Sequence, residues 1–146
     1  MAEPQAVLFA CGHNAVRSPM AAALLRQMRG TTLYIASAGV RTAALDPFAV
    51  AVMEEIGIDI SRHRPKTFED LEDTSFDLVI SLSPEAQHKA VELTRTMDCT
   101  VEFWPVIDPG TVEGSREAQL DVYRDVRDHL LRRILKRFPV GPAVQV

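Results

Sequence analysis

The sequence predicts an α/β domain: a four-stranded parallel sheet with helices on both faces, its functional loop placed after the first strand. Three observations point there. Short apolar runs alternate along the chain with stretches of helical period. Three of the four helical stretches open on Ser-Pro or Asp-Pro, and two close on Gly. The length of 146 residues suits one hydrophobic core. A single domain is therefore expected over 1–146, with its core at about 5–138 and the tail "PVGPAVQV" loose. No internal repeat, linker or low-complexity segment divides the chain.

Each element has its own signal. "AVLFAC" (6–11) is a continuous apolar run, as expected of a strand buried on both faces. "SPMAAALLRQMR" (18–29) reads as a helix, with Ser18 as N-cap, Pro19 in the first turn and Gly30 as stop. "LYIASA" (33–38) is a second strand. "DPFAVAVMEEIG" (46–57) is a second helix, capped by Asp46 and ended by Gly57. "DLVISL" (77–82) is a third strand, and "SPEAQHKAVELT" (83–94) a third helix. "TVEFW" (100–104) is a fourth strand. A long helix follows over 115–138, where Leu120, Tyr123, Val126, Leu130, Ile134 and Phe138 recur at three- and four-residue steps. Strands alternating with helices give a parallel sheet, whose ligands sit beyond the carboxyl ends of the strands.

Composition narrows the function. The net charge of −4 argues against nucleic acid as a partner. No stretch approaches the roughly 20 apolar residues of a membrane span. The opening "MAEPQAVLFACG" lacks the basic, apolar pattern of a signal peptide, so a cytoplasmic location is expected. Cys11 and Cys99 make no disulfide framework. His13, His88 and His129 lack metal-ligand spacing and are read as structural or exposed; no metal or cofactor is expected.

The stretch "VLFACGHNAVRSPMAAALL" (7–25) carries the chemistry. A loop between a buried strand and a helix N-terminus presents unpaired N–H groups, which can curl into an anion cradle. The helix adds the positive end of its dipole. Such a setting favours a thiolate, the nucleophilic form of cysteine, at Cys11. Arg17 can grip two oxygens of a tetrahedral anion. Ser18 is placed to hydrogen-bond the sulfur. A phosphate-binding loop over Gly12, His13, Asn14, Ala15, Val16, Arg17 and Ser18 follows. The other reading of Cys-x5-Arg is a buried strand-end cysteine with a solvated arginine. Asp108-Pro109 reads equally as a turn, and His63 in "SRHRP" as part of a solvated basic loop.

The same stretch resembles the start of the low-molecular-weight protein tyrosine phosphatases and of the thioredoxin-type arsenate reductases that share their fold. The resemblance continues through "SAGV" (37–40), "GIDISRHRP" (57–65), "FDLVISL" (76–82) and "IDPG" (107–110). It implies Cys11 as nucleophile, Arg17 as oxyanion clamp and Asp108 as general acid. Ser18 is implied as the hydroxyl that steadies the sulfur. Asn14, Ser37 and His63 are implied as the polar network that holds the loop in shape.

Four departures shape the expected activity. His13 stands where relatives have glycine, with Gly12 one place earlier. Val16 replaces the second cysteine found before the arginine in many phosphatases. Gly110 and Thr111 follow Asp108-Pro109 where phosphotyrosine-specific members carry tyrosines. "SLSPEAQHKA" lacks the two further cysteines that the reductases use. The leading expectation is a metal-independent phosphomonoester hydrolase of the protein tyrosine phosphatase type, working through a phosphocysteine on a phosphomonoester or phosphoprotein. The alternatives are arsenate reduction finished by a small external thiol, or by Cys99 after rearrangement, and a non-catalytic oxyanion-binding module. Arg41 is a candidate contact at the rim, and whether "RTAALDP" (41–47) walls the cleft is left open.

Overall fold

A computed structural model describes residues 3–72 and 75–139. Strands β1 (Ala6–Cys11), β2 (Tyr34–Gly39), β3 (Leu78–Ser81) and β4 (Thr100–Phe103) form one parallel sheet in the order β2-β1-β3-β4. Helices α1 (Arg17–Arg29), α2 (Pro47–Glu54), α3 (Pro84–Leu93) and α4 (Arg116–Arg137) connect and follow the strands. The chain steps from β1 to one side, then crosses to the other for β3. The winding therefore reverses at β1, and a crevice opens at its carboxyl end.

Alternation along β1 decides which residue faces which layer. Val7, Phe9 and Cys11 face a larger core built with α1, α2 and α4. Leu8 and Ala10 face a smaller one completed by Ala86 and Ala90 of α3. Phe9 meets Trp104 edge-to-face at 6.2 Å, and Phe48 of α2 meets Tyr123 of α4 likewise at 5.3 Å. Arg124 and Arg127 of α4 clamp the Glu55 carboxylate beyond α2; their hydrogen bonds hold that carboxyl down at about 2.

Two expected helix limits shift. α2 ends at Glu54, short of Gly57, whose φ of +79° belongs to the turn that follows. More consequentially, Ser18 is not the N-cap of α1: the helix starts at Arg17 behind Val16, with no side-chain cap. Asp46, Ser83 and Ser115 do cap their helices, accepting from Phe48 N, Ala86 N and Ala118 N. Ser18 is the exception because its hydroxyl is engaged elsewhere. The tail from residue 140, expected to be loose, lies outside the described residues.

Candidate active site

The loop between β1 and α1 curls around a concavity, and the way its carbonyls are tied explains why. Cys11 O accepts from Val40 N at 3.1 Å, and Gly12 O from Arg41 N at 2.9 Å. Asn14 O lies 3.2 Å from His63 Nε2, and Ala15 O accepts from Asp46 N at 3.2 Å. Val16 O accepts from Met20 N in the first turn of α1. Every peptide here is trans, so each outward-tied carbonyl turns the next residue's N–H the opposite way. The N–H groups of Gly12, His13, Ala15, Val16 and Arg17 are thereby directed inward, a main-chain arrangement of the kind that can hold an anion. Asn14 N goes instead to Cys11 Sγ, at 3.3 Å.

Asn14 is the hub. Its φ of +56° is a left-handed conformation that asparagine tolerates better than most residues. Its amide orientation follows from one partner: Lys66 N, which can only donate, lies 3.0 Å from Oδ1. Nδ2 then donates to Ser18 Oγ at 2.8 Å and Ser37 Oγ at 2.9 Å. With a lone pair of Ser18 so occupied, its hydroxyl hydrogen is free for Cys11 Sγ, 2.9 Å away. His63 Nε2 faces two acceptors, Asn14 O and Oδ1, so it carries the proton. Burial, aided by Lys66 and Arg26 nearby, pushes the His63 pKa below its ordinary value despite the Asn14 hydrogen bond.

Arg17 reaches the cradle from α1. Its Nη1 donates to Val106 O at 3.0 Å, and Nη2 stands 4.0 Å from Asp108 Oδ2. Asp108 is held by Gly110 N on Oδ1, at 2.9 Å, and caps the turn Pro109–Thr111. A cleft of about 410 Å³ leads down to Cys11, which is only 2 % exposed and so is reached through it. One wall is Ala43, Ala44, Leu45, Asp46 and Pro47, within the segment the sequence left open. Asp108, Gly110 and Thr111 form the other, with His13 and Ala15 at the loop. None of the described residues lining it is a Phe, Tyr or Trp.

The structure thus brings Cys11, the loop 12–18, Ser37, His63 and Asp108 together. Arg41, the candidate rim contact, is not among the residues lining the cleft; it forms a bidentate pair with Glu85 of α3 that holds the Glu85 carboxyl below its usual range. His88 lies on the surface against Glu92, and His129 Nε2, on α4, is buried with no partner among the described residues. Cys99 sits half-buried at the opposite end of the sheet, its thiol pushed up by burial and by Asp98. Three contributors escaped the sequence reading. Lys66 N and Val106 O act through the backbone, which leaves no residue-type signal. Asp46, expected as a helix cap within a segment left open as a cleft wall, also pins Ala15 O and lines the cleft.

Residues 6–138 match the family model described as low molecular weight phosphotyrosine protein phosphatase. The chain belongs to that family. Among its relatives, an arsenate reductase of Bacillus subtilis (strain 168) is 32 % identical over 136 residues, 93 % of this chain and 96 % of that one. A glutaredoxin arsenate reductase of Synechocystis sp. is 31 % identical over 129 residues, 88 % of this chain and 92 % of its own. The low molecular weight protein tyrosine phosphatase of T. tengcongensis superposes with a TM-score of 0.73 at 29 % identity. That match covers 90 % of this chain and 96 % of the other. Proteins named as phosphatases and as arsenate reductases are thus both among those similar to this chain, and the family is a class of enzymes.

Proposed function

We propose that the protein hydrolyses phosphomonoesters through a phosphocysteine intermediate. The Cys11 sulfur attacks phosphorus in line, so that an S–P bond forms as the P–O bond to the leaving group breaks. Asp108 gives its proton to the leaving oxygen. Water then attacks phosphorus and passes a proton back to Asp108; the S–P bond breaks and inorganic phosphate departs. The inward N–H groups and the Arg17 guanidinium hold the equatorial oxygens in both steps, which is where phosphoryl transfer gains most. Ser18 donates to the sulfur, stabilising it as attacking and as leaving group.

One observation carries this reading. Cys11 and Asp108 line the same cleft, with Asp108 Oδ2 4.0 Å from the Arg17 guanidinium. The smooth Gly110-Thr111 wall supports a broad range of phosphomonoesters, phosphoproteins included, rather than strict selection of phosphotyrosine.

A second reading, arsenate reduction with an external thiol, is favoured by the relatives named arsenate reductases. Cys99 does not supply an internal relay, being far from Cys11 across the sheet. The test uses an aryl phosphate, and separately arsenate with glutathione and a glutaredoxin, with Cys11→Ser as control in both. Phosphate release that Cys11→Ser abolishes, and that Asp108→Asn slows by about 10²–10⁴, is the expected result. Arsenite formation with negligible phosphate release reverses the order of the two readings. Phosphate binding without either product leaves only an oxyanion-binding role.

A further inference from the structure

Three carboxylates surround the anion cradle, and two of them are masked. Glu85, at the start of α3, stands beside Gly12: a Cβ added there would lie 3.3 Å from Glu85 Oε1. Arg41 meets both Glu85 oxygens. Asp46 lines the cleft itself, and both its oxygens are also taken: Phe48 N donates to Oδ1 at 2.8 Å, and the Tyr123 hydroxyl donates to Oδ2. Tyr123 belongs to α4, 77 residues away in sequence, and its ring is fixed edge-on against Phe48. Burial, the Asp46 hydrogen bond and the charge of Asp108 all keep that hydroxyl protonated. Asp108 differs from both: its Oδ1 is taken by Gly110 N, while Oδ2 faces Arg17 at 4.0 Å, beyond hydrogen-bonding distance.

We propose that the Tyr123–Asp46 and Arg41–Glu85 pairs set oxyanion affinity by screening two carboxylates near the cradle from a bound dianion, leaving Asp108 as the one of the three with an oxygen that accepts no hydrogen bond among the described residues. The inference rests on the oxyanion cradle described above and deepens it. A dianion entering the concavity beside an unscreened carboxylate is repelled. A hydroxyl or guanidinium hydrogen on the carboxylate draws its charge away from the cradle. Tyr123 is thus a positioning residue: it never touches the anion and acts through Asp46.

Equilibrium binding of inorganic phosphate tests this without requiring turnover. Tyr123→Phe keeps the ring packing and removes only the hydroxyl; it is expected to weaken phosphate binding about 3- to 10-fold. In the Asp46→Asn background, which keeps the helix cap, the same change is expected to have no effect, because the neutral amide brings no charge to screen. Arg41→Met should weaken binding similarly, and Glu85→Gln should rescue it; both residues are exposed, so this pair reads the idea even if a Tyr123 variant folds poorly. Each penalty should shrink between about 0.01 M and 1 M salt, as the screening length falls from about 30 Å to 3 Å. Against an aryl phosphate, Tyr123→Phe should raise KM by the same factor with kcat within about twofold; loosened packing would lower kcat instead. A Tyr123→Phe penalty that persists unchanged in the Asp46→Asn background, together with no rescue of Arg41→Met, overturns the proposal. Failure of the unaltered protein to bind phosphate overturns the cradle reading and this inference with it.

Discussion

Asn14 concentrates the chemistry of this site in one side chain. Its amide contacts run from the backbone at Lys66 through Ser18 to the Cys11 sulfur, so a distant main-chain N–H fixes the direction of every hydrogen in the line. His63 secures the other side of the same amide oxygen and is sensitive to pH. Burial lowers its pKa from 6.5, so the folded protein prefers the neutral ring while the unfolded chain takes up the proton first. Its contribution is therefore complete above about pH 6.5 and is lost as pH falls from there through the depressed folded value. Urea denaturation midpoints measured from pH 7.5 down to 5 should show this decline, and His63→Gln should remove that step. An identical pH profile in the variant would exclude His63 as its source.

Among the elements, the end of β2 does more than complete the sheet. Gly39 lies directly beneath the loop: an added Cβ would fall 2.5 Å from Arg41 O, 2.7 Å from Asn14 N and 2.8 Å from His13 C, all backbone atoms. Only the absence of a side chain lets strand and loop approach so closely, and Gly39 N is itself tied to Lys66 O. Gly39→Ala is expected to cost about 1–3 kcal/mol, the usual range for overpacking. It should also weaken phosphate binding, because the atoms displaced belong to the cradle. Denaturant titration with and without phosphate measures both, and an alanine variant of unaltered stability would contradict this packing. α1 illustrates the converse: its N-terminus lacks a side-chain cap, which leaves its first-turn N–H groups available to the cleft.

At the scale of the molecule, sheet order separates the two thiols. Cys99 precedes Thr100, which aligns through Leu78 with Val7, whereas Cys11 ends β1 beside Gly39. The separation is roughly 16 Å along the strands and about 10 Å across two strand spacings. A disulfide requires Cα atoms within about 7 Å, so these cysteines cannot join in this fold. Cys99→Ser should therefore leave turnover within about twofold. Mild oxidation should produce no internal Cys11–Cys99 crosslink by peptide mapping, and finding one would mean that the sheet opens.

The amino-acid sequence by itself determined the alternation of strands and helices, because apolar period, Pro openings and Gly stops are local. It also marked Cys11, Arg17 and Ser18, whose chemistry lies within one short loop. Its account of Ser18 as a helix cap was wrong for a reason local rules cannot supply: a hydroxyl beside a sulfur and an asparagine amide has better partners than its own helix. Asp46 looked like an ordinary cap and Tyr123 like an ordinary core position, since nothing in their neighbourhoods hints that they meet. Only tertiary structure decided that pairing, the outward tying of the loop carbonyls and the wall formed by residues 43–47. Those features depend on backbone atoms and on residues far apart in the chain, brought within hydrogen-bonding distance by the order in which the strands lie.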